Sequence, residues 1–408
     1  MKRFLSILTF LYFSIFTFCA AANYRFRHLS SQDGLPHQQV ETMAQDQKGN
    51  IWIGTRNGLV RYDGYEMHAY FHNDEDPHSL SNNFVKVIHC DRKGRIWVCT
   101  ELGISRYRPA TDDFATYHEG TEHVLSLVET SKGRIIGGGD NLSVYDEQSD
   151  TFVQYPALEI GFIVSMTISP DDQLYVASNT SIYSYDATLT KITRLDPRYY
   201  EAFTTGIDGI IPMTFDHEGQ LWLGRNGQGV MRIDLKSGLT RIYQPHELSN
   251  GIVRAITEDN DHNIWLGTEK GITVIHPDGT TDILQHRFQS PTMLSDNAIY
   301  CIMNDRHGNL WIGSYFGGVD FLLQAGRQFE WDEPSYADGQ LHGKVVRQMA
   351  EVGSPGQLSH AIWLATEDAG INVYDTRTRR FTPFTAHADA LGTNVHALHY
   401  DDTQQECG

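Results

Sequence analysis

A chain of 408 residues that is 40% hydrophobic and 20% charged has ample material for packed cores, which excludes collagen, a disordered chain and a polytopic membrane protein. Its 51 acidic residues outnumber 32 basic ones, and the resulting net charge of −19 repels nucleic acid and anionic lipid, so binding to a phosphate backbone is excluded as a function class. Twenty Tyr, 19 Phe, 7 Trp and 36 Gly against 13 Pro point to a β-rich chain with many tight turns.

Residues 1–22 read as a cleaved secretory signal peptide. Lys2 and Arg3 precede an apolar run from Phe4 to Phe18, then Cys19 and the small residues Ala20, Ala21 and Ala22. That run of 15 residues falls short of the roughly 20 that span a bilayer, so cleavage after Ala22 is expected. Phe18 is bulky where lipid attachment at Cys19 requires a small residue. Of the remaining cysteines, Cys90, Cys99, Cys301 and Cys407 have neither the count nor the spacing of a disulfide scaffold or a zinc site. Cys90 and Cys99 meet only if their strands pair, and buried free thiols are the preferred reading.

One sequence unit then recurs along the chain. Residues 40–62 (VETMAQDQKGNIWIGTRNGLVRY) match 85–107, 210–233, 252–275 and 299–322, and a further copy stands at 361–374 after an insertion. Two degenerate copies lie at 134–145 and 173–185. The key position holds Trp52, Trp97, Ile136, Tyr175, Trp222, Trp265, Trp311 and Trp363, a period of about 44 residues that suits one four-stranded propeller blade. The short alternating runs broken by Gly, Asn and Asp are strand chemistry and not helix chemistry.

Within a unit, an inner strand such as Val40–Gln45 leads to a D-x-x-G turn. There the acid (Asp46, Asp91, Asp216, Asp259, Asp305) bonds the turn backbone and Gly supplies a positive φ. The second strand (Ile51–Thr55) carries the Trp, and the position two residues later is always small, which predicts close packing of neighbouring sheets. A third strand (Leu59–Tyr62) and a less regular fourth (Glu66–Phe71) complete the unit. The expected fold is therefore all-β: a seven-bladed β-propeller over residues 23–330, its last blade closed by Tyr24–Ser30 as an outermost strand, followed by the start of a second propeller in 331–408. Residues 331–408 hold fewer than two periods, which reads as a truncated frame; a single eight-bladed ring is the alternative.

The motif D-x-x-G-x-[IL]-W-[IL]-G-T, preceded by DGLPHQQV at 33–40 and SLSNNFV at 79–85, resembles the two-component regulator propeller repeat. With the signal peptide, it is similar to the periplasmic sensor region of hybrid two-component systems. The resemblance implies two seven-bladed propellers, a β-sandwich, a membrane helix, a kinase core and a response regulator with a DNA-binding module. It also implies that the propellers sense carbohydrate fragments in the periplasm and switch the kinase, with a homodimer in the full-length receptor. These 408 residues contain neither a phosphoacceptor helix nor a nucleotide-binding motif, so kinase activity is not assigned to them, and the membrane is reached only through segments outside them.

No catalytic constellation stands out in the sequence. There is no G-x-x-x-x-G-K-[ST] and no H-E-x-x-H, and the cluster GRNGQG at 224–229 sits in an inter-strand turn. Asp259, Asp261 and Asn263 imitate the start of a calcium loop, but Ile264 stands where Gly is required and Lys270 where the bidentate Glu belongs. The 19 histidines are scattered singly, so no catalytic residue, metal or cofactor is expected. The D-x-x-G turn differs from the Asp-box of sialidases by one extra residue. Streptogramin-lyase-like propellers, which share a similar repeat, make an exported propeller enzyme the competing function.

A ligand is expected on the face that carries the turns between second and third strands. That face includes His37–Gln39, Ser81–Asn83, Glu101, Glu269–Lys270 and Asp296–Asn297. Arg56, Asn57, Arg225, Asn226 and Tyr315 are its best candidates, because polar groups beside aromatic faces suit a sugar.

Overall fold

The computed structural model describes residues 24–117, 123–155, 160–178, 181–199, 211–225, 227–287, 292–323, 338–352, 361–384, 392–401 and 406–407. The signal peptide expected at 1–22 and the candidate Asn226 lie outside them. Regular structure among the described residues is β, apart from two 3-10 turns at Pro197–Tyr199 and Pro245–Glu247, and no helix among them is long and apolar enough to cross a membrane. The chain divides into two compact units, Met1–Gln328 and Phe329–Gly408.

The first unit contains seven four-stranded antiparallel sheets, here blades 1 to 7. Their inner strands are Val40–Gln45, Val85–Cys90, Val124–Glu129, Ile163–Ile168, Met213–Phe215, Val253–Glu258 and Ile299–Asn304. Each inner strand packs on the next, and the seventh packs back on the first, so the sheets form a ring. The outermost strand of blade 7 is Arg27–Leu29, which pairs with Val319–Leu322 in the register Arg27↔Phe321, His28↔Asp320, Leu29↔Val319. Tyr24 sets its ring against Trp265 of blade 6, with centroids 5.4 Å apart. The N-terminal stretch thus supplies the strand that the sequence pattern of the seventh unit lacks.

The core of this unit is distributed. Seven clusters of buried side chains each centre on the key residue of one blade and the inner face of the next: Trp52 lies among Val85, Ile88 and Val98, and Trp311 among Val40, Met43 and Ile53. The indoles of Trp52, Trp97 and Trp265 are fully buried. The small residue that follows lets the sheets approach. A β-carbon on Gly54 would meet Val85 at 2.5 Å, and one on Gly313 would meet Val40 at 2.6 Å.

A buried indole N–H needs an acceptor, and the turn acid provides it. Nε1 of Trp52, Trp97, Trp222, Trp265 and Trp311 donates to Oδ2 of the Asp six residues earlier at 2.8–3.1 Å. The other oxygen accepts turn amides, as Asp46 Oδ1 does from Lys48 and Asn50. Blades 3 and 4 have Ile136 and Tyr175 at the key position, and there the acid is replaced by Thr130 and Ser169, whose hydroxyls still accept the turn amides of Arg134 and Gln173. Two carboxylate oxygens are present where two kinds of donor must be satisfied, and one hydroxyl serves where only the turn must be.

These networks have an acid signature. Burial pushes the Asp91 and Asp305 carboxyls up, but bonds from Trp97, Arg95, Trp311 and Asn309 outweigh it and hold both below the usual carboxylate range. A group whose folded value lies below its unfolded value of about 3.9 adds stability above that pH and loses it as the pH falls through the folded value. The urea midpoint is therefore expected to hold from pH 7 to 5 and to drop below about pH 4. Equal midpoints at pH 3 and pH 6 would contradict the assignment.

The second unit contains one four-stranded sheet, Val346–Val352, Ala361–Thr366, Ile371–Asp375 and Arg380–Pro383, and a two-residue pairing of Tyr400–Asp401 with Glu406–Cys407. Ala365, at the repeat's small position, is fully buried, and Trp363 packs against Phe384 at 4.6 Å. Cys90, Cys99 and Cys301 are free thiols. The strands of Cys90 and Cys99 do pair, but their register sets Cys99 opposite Val87 and Cys90 opposite Ile96.

Candidate functional site

The turns between second and third strands and the loops entering the inner strands come together on one face of the ring. Backbone amides of Arg56, Glu101, Glu269 and Tyr315 donate to the carbonyls of Gln39, Phe84, Ile252 and Ala298, each just before its own blade's inner strand. Gly58 and Gly271 donate to Asn83 and Asn297 of the following loop, both at 2.7 Å.

Six of the seven inner strands entering from this face start with the same irregularity. A β-bulge separates Val40 from Thr42, Val85 from Val87, Val124 from Ser126, Ile163 from Ser165, Val253 from Ala255 and Ile299 from Cys301. A bulge leaves one residue unpaired and re-aims its side chain. The residues so placed are Glu41, Lys86, Leu125, Val164, Arg254 and Tyr300, and Ile211 holds the equivalent position in blade 5. Around the ring, blades 6, 7, 1 and 2 thus contribute Arg254, Tyr300, Glu41 and Lys86, whereas blades 3, 4 and 5 contribute Leu125, Val164 and Ile211.

The polar half is one connected arc. Arg254 donates to Glu269 of its blade's turn and sets its guanidinium 4.8 Å from the Tyr300 ring centroid. Tyr300 lies 5.3 Å from Tyr315, which lies 4.4 Å from the exposed Phe316. Glu41 accepts from the buried Gln39 at 2.5 Å. Lys86 places Nζ 3.2 Å from the centroid of Phe84, and Arg56 lies over the same ring at 4.6 Å. Burial pushes the Lys86 ammonium down, Glu41 and Glu101 push it up, and Arg56 pushes it down, for a net value below that of an ordinary lysine. Burial raises the Tyr300 hydroxyl, opposed by Arg254 and aided by Glu269, Glu41 and Tyr315. The arc therefore offers hydrogen-bonding groups of both signs beside aromatic faces.

Of the sequence candidates, Arg56 and Tyr315 lie in this arc, over Phe84 and beside Tyr300. Asn57 is exposed in the same turn, its amide bonded to Thr55 Oγ1 at 3.1 Å. Arg225 bonds Gln228 of its own turn at 2.8 Å, and burial lowers its basicity. Sequence reading missed Glu41, Lys86, Arg254 and Tyr300. The signal was available, since each stands 11 residues before its Trp, as 41 does before 52. On the opposite face a cleft of about 490 Å³ opens between blades 1 and 2, lined by Asp46, Arg61, Arg95, Tyr107 and Asp112 among others. In it Asp46 is bound to Trp52, Arg61 to Tyr107 and Asp112, and Arg95 to Asp91 and Glu147. The mouth of the ring is the stronger site, because Lys86 and Arg56 lie over the Phe84 ring and Arg254 over the Tyr300 ring, which sets cations and aromatic faces side by side.

Residues 34–57, 79–101, 247–270 and 293–316 match the family model of the two component regulator propeller. The chain carries two-component regulator propeller repeats. It is similar to Histidine kinase P4 of Formosa agariphila, with 34% identity over 76 residues, 19% of this chain and 6% of that protein. Among solved structures, the extracellular domain of the hybrid two component system BT3049 from B. thetaiotaomicron aligns with a TM-score of 0.67 at 19% identity. That alignment covers 93% of this chain and 51% of that one, so the chain spans about half its length. A catalytically inactive virginiamycin B lyase from Staphylococcus aureus with quinupristin aligns with a TM-score of 0.58 at 15% identity, covering 74% of this chain and 99% of the lyase. At these identities the structural likenesses establish the shared propeller fold.

Proposed function

We propose that the chain is the periplasmic, non-catalytic sensor region of a hybrid two-component system, exported by its signal peptide, and that the ring's mouth binds a carbohydrate fragment. The observation that carries this reading is the arc of charged and aromatic side chains at the start of the inner strands, Arg254, Tyr300, Glu41 and Lys86, with Arg56, Phe84 and Tyr315 beside them. A sugar has hydroxyls that need donors and acceptors and C–H faces that stack on aromatic rings, so it suits such a mouth. The repeat match and the likeness to extracellular domains of two-component systems support it.

Titration of the full chain with a panel of oligosaccharides, followed by calorimetry, tests it. Lys86→Ala and Arg254→Ala are each expected to weaken a bound sugar by about tenfold or more, the effect of losing one hydrogen bond to a charged group. A sugar that binds equally well to both variants would move the site elsewhere. The lyase likeness favours a second reading, an exported propeller enzyme. Turnover of quinupristin or of a glycan by the purified chain would establish that reading and refute the first.

A further inference from the structure

The D-x-x-G turns occupy the other face of the ring, where the turn of blade 5 (Asp216–Gly219) meets that of blade 6 (Asp259–His262). The fourth position of this turn is Gly49, Gly94, Gly133, Gly219 and Gly308 in blades 1, 2, 3, 5 and 7, all with φ between 77° and 96°. Blade 6 has His262 there, with φ of 64°, a left-handed conformation that a β-carbon strains. Glycine would hold the turn without strain, so the imidazole answers to something beyond the backbone.

Its surroundings supply the reason. His262 Nδ1 lies 3.1 Å from Glu258 Oε1, and His217 Nδ1 faces the same oxygen. The two rings stack with centroids 3.7 Å apart and planes 25° apart. One ligand atom from each of the three residues falls within 4.8 Å of the others. The second Glu258 oxygen accepts the His217 amide at 2.8 Å, which orients the carboxylate. That last bond is general to the repeat, since Gln45 and Glu129 accept the amides of Arg306 and Arg92 in the same way. The pair of histidines is particular to this boundary, and it corrects the expectation that the histidines are scattered singly.

We infer that His217, Glu258 and His262 form a divalent transition-metal site of the zinc type. Two imidazole nitrogens and one carboxylate oxygen are a ligand set this ion takes, with the fourth position open to solvent. A metal between the three donors would join the turns of blades 5 and 6. The site lies on the face opposite the ring's mouth and does not depend on the function proposed for it. A purely mechanical use of the same turn position exists in blade 4, where Asp172, with φ of 66°, bonds the Ser131 amide at 2.6 Å and its hydroxyl at 2.8 Å. Such a clip is the alternative outcome.

The test is calorimetric titration of the untagged full chain with Zn²⁺ alone, alongside His262→Gly and His217→Ala. The wild-type chain is expected to show one more site than either variant, or the same site tightened by at least about 100-fold, the upper end of what outer-shell changes alone cost. His262→Gly removes a ligand while relaxing the turn, so its melting temperature without metal should equal or exceed that of the wild type. Zn²⁺ should then raise the melting temperature of the wild type and leave that of His262→Gly unchanged. Equal Zn²⁺ binding by the wild type and both variants, or none by the wild type, would reduce the cluster to a clip between blades.

Discussion

Trp97→Ala is expected to destabilise the ring by about 3–5 kcal/mol, the range for emptying a fully buried aromatic site. The indole is 0% exposed, lies between blades 2 and 3 among Val124, Leu127 and Ile135, and donates to Asp91 at 2.9 Å. Its removal leaves a cavity bounded by two sheets that cannot collapse without breaking the ring. Asp91→Ala should cost about 1–3 kcal/mol or more, because it leaves the indole N–H and the turn amides of Lys93 and Arg95 without their acceptor. The two residues act as one unit, and blade 4 shows the substitute that works, Ser169 with Tyr175. The double variant Asp91→Ser with Trp97→Tyr should therefore lose less than the sum of its single variants, by about 0.5–3 kcal/mol in a double-mutant cycle measured by urea unfolding. A coupling of zero would disprove the shared network.

Asp320→Ala is the second large effect. Asp320 is 0% exposed on the third strand of blade 7. It accepts from His28 Nδ1 at 2.6 Å and from the Ser295 amide at 2.9 Å, so it joins the N-terminal strand, the blade and the loop before its inner strand. Two hydrogen bonds to a charged group, at about 1.5 kcal/mol each, put the loss near 3 kcal/mol. The loss is focused where the ring closes on a strand of three residues, Arg27–Leu29. Limited proteolysis should cut the variant first near its N-terminus, before any inner blade is attacked. Cleavage spread evenly over the chain would show that closure does not depend on this clasp.

Strand boundaries were largely legible because the sequence repeats. Val40–Gln45 and Ile51–Thr55 fall where alternation and turn chemistry place them. The N-terminal strand was legible too, since the seventh unit lacks an outer strand and YRFRHLS has nowhere else to pair. The features that recur most plainly among the copies are the Trp and the small residue after it, and both concern packing. Position 41 and its equivalents do not stand out in this way, because they vary from Glu to Lys, Leu, Val, Ile, Arg and Tyr. Variation at a constant register is what a recognition position in a repeat looks like, but period-2 alternation conceals it: the bulge shifts the register by one residue at that point and removes it from the strand's pattern. The His217–Glu258–His262 cluster was hidden for a different reason. Its members are 41 and 4 residues apart in sequence, and only the packing of blade 5 on blade 6 brings the first to the other two.

By itself, the sequence determined the all-β class, the blade as the unit, the strand-by-strand order within it and the closure through the N-terminal segment. These are local or periodic properties, written in spacing, turn residues and side-chain size. The tertiary structure decided which oxygen of each turn acid meets the indole, which residue of six inner strands the bulge leaves unpaired, and which turns meet on the opposite face. Those are relations between blades, and a ring sets them by bringing residues about 40 apart to within hydrogen-bond distance, which spacing along one chain does not record.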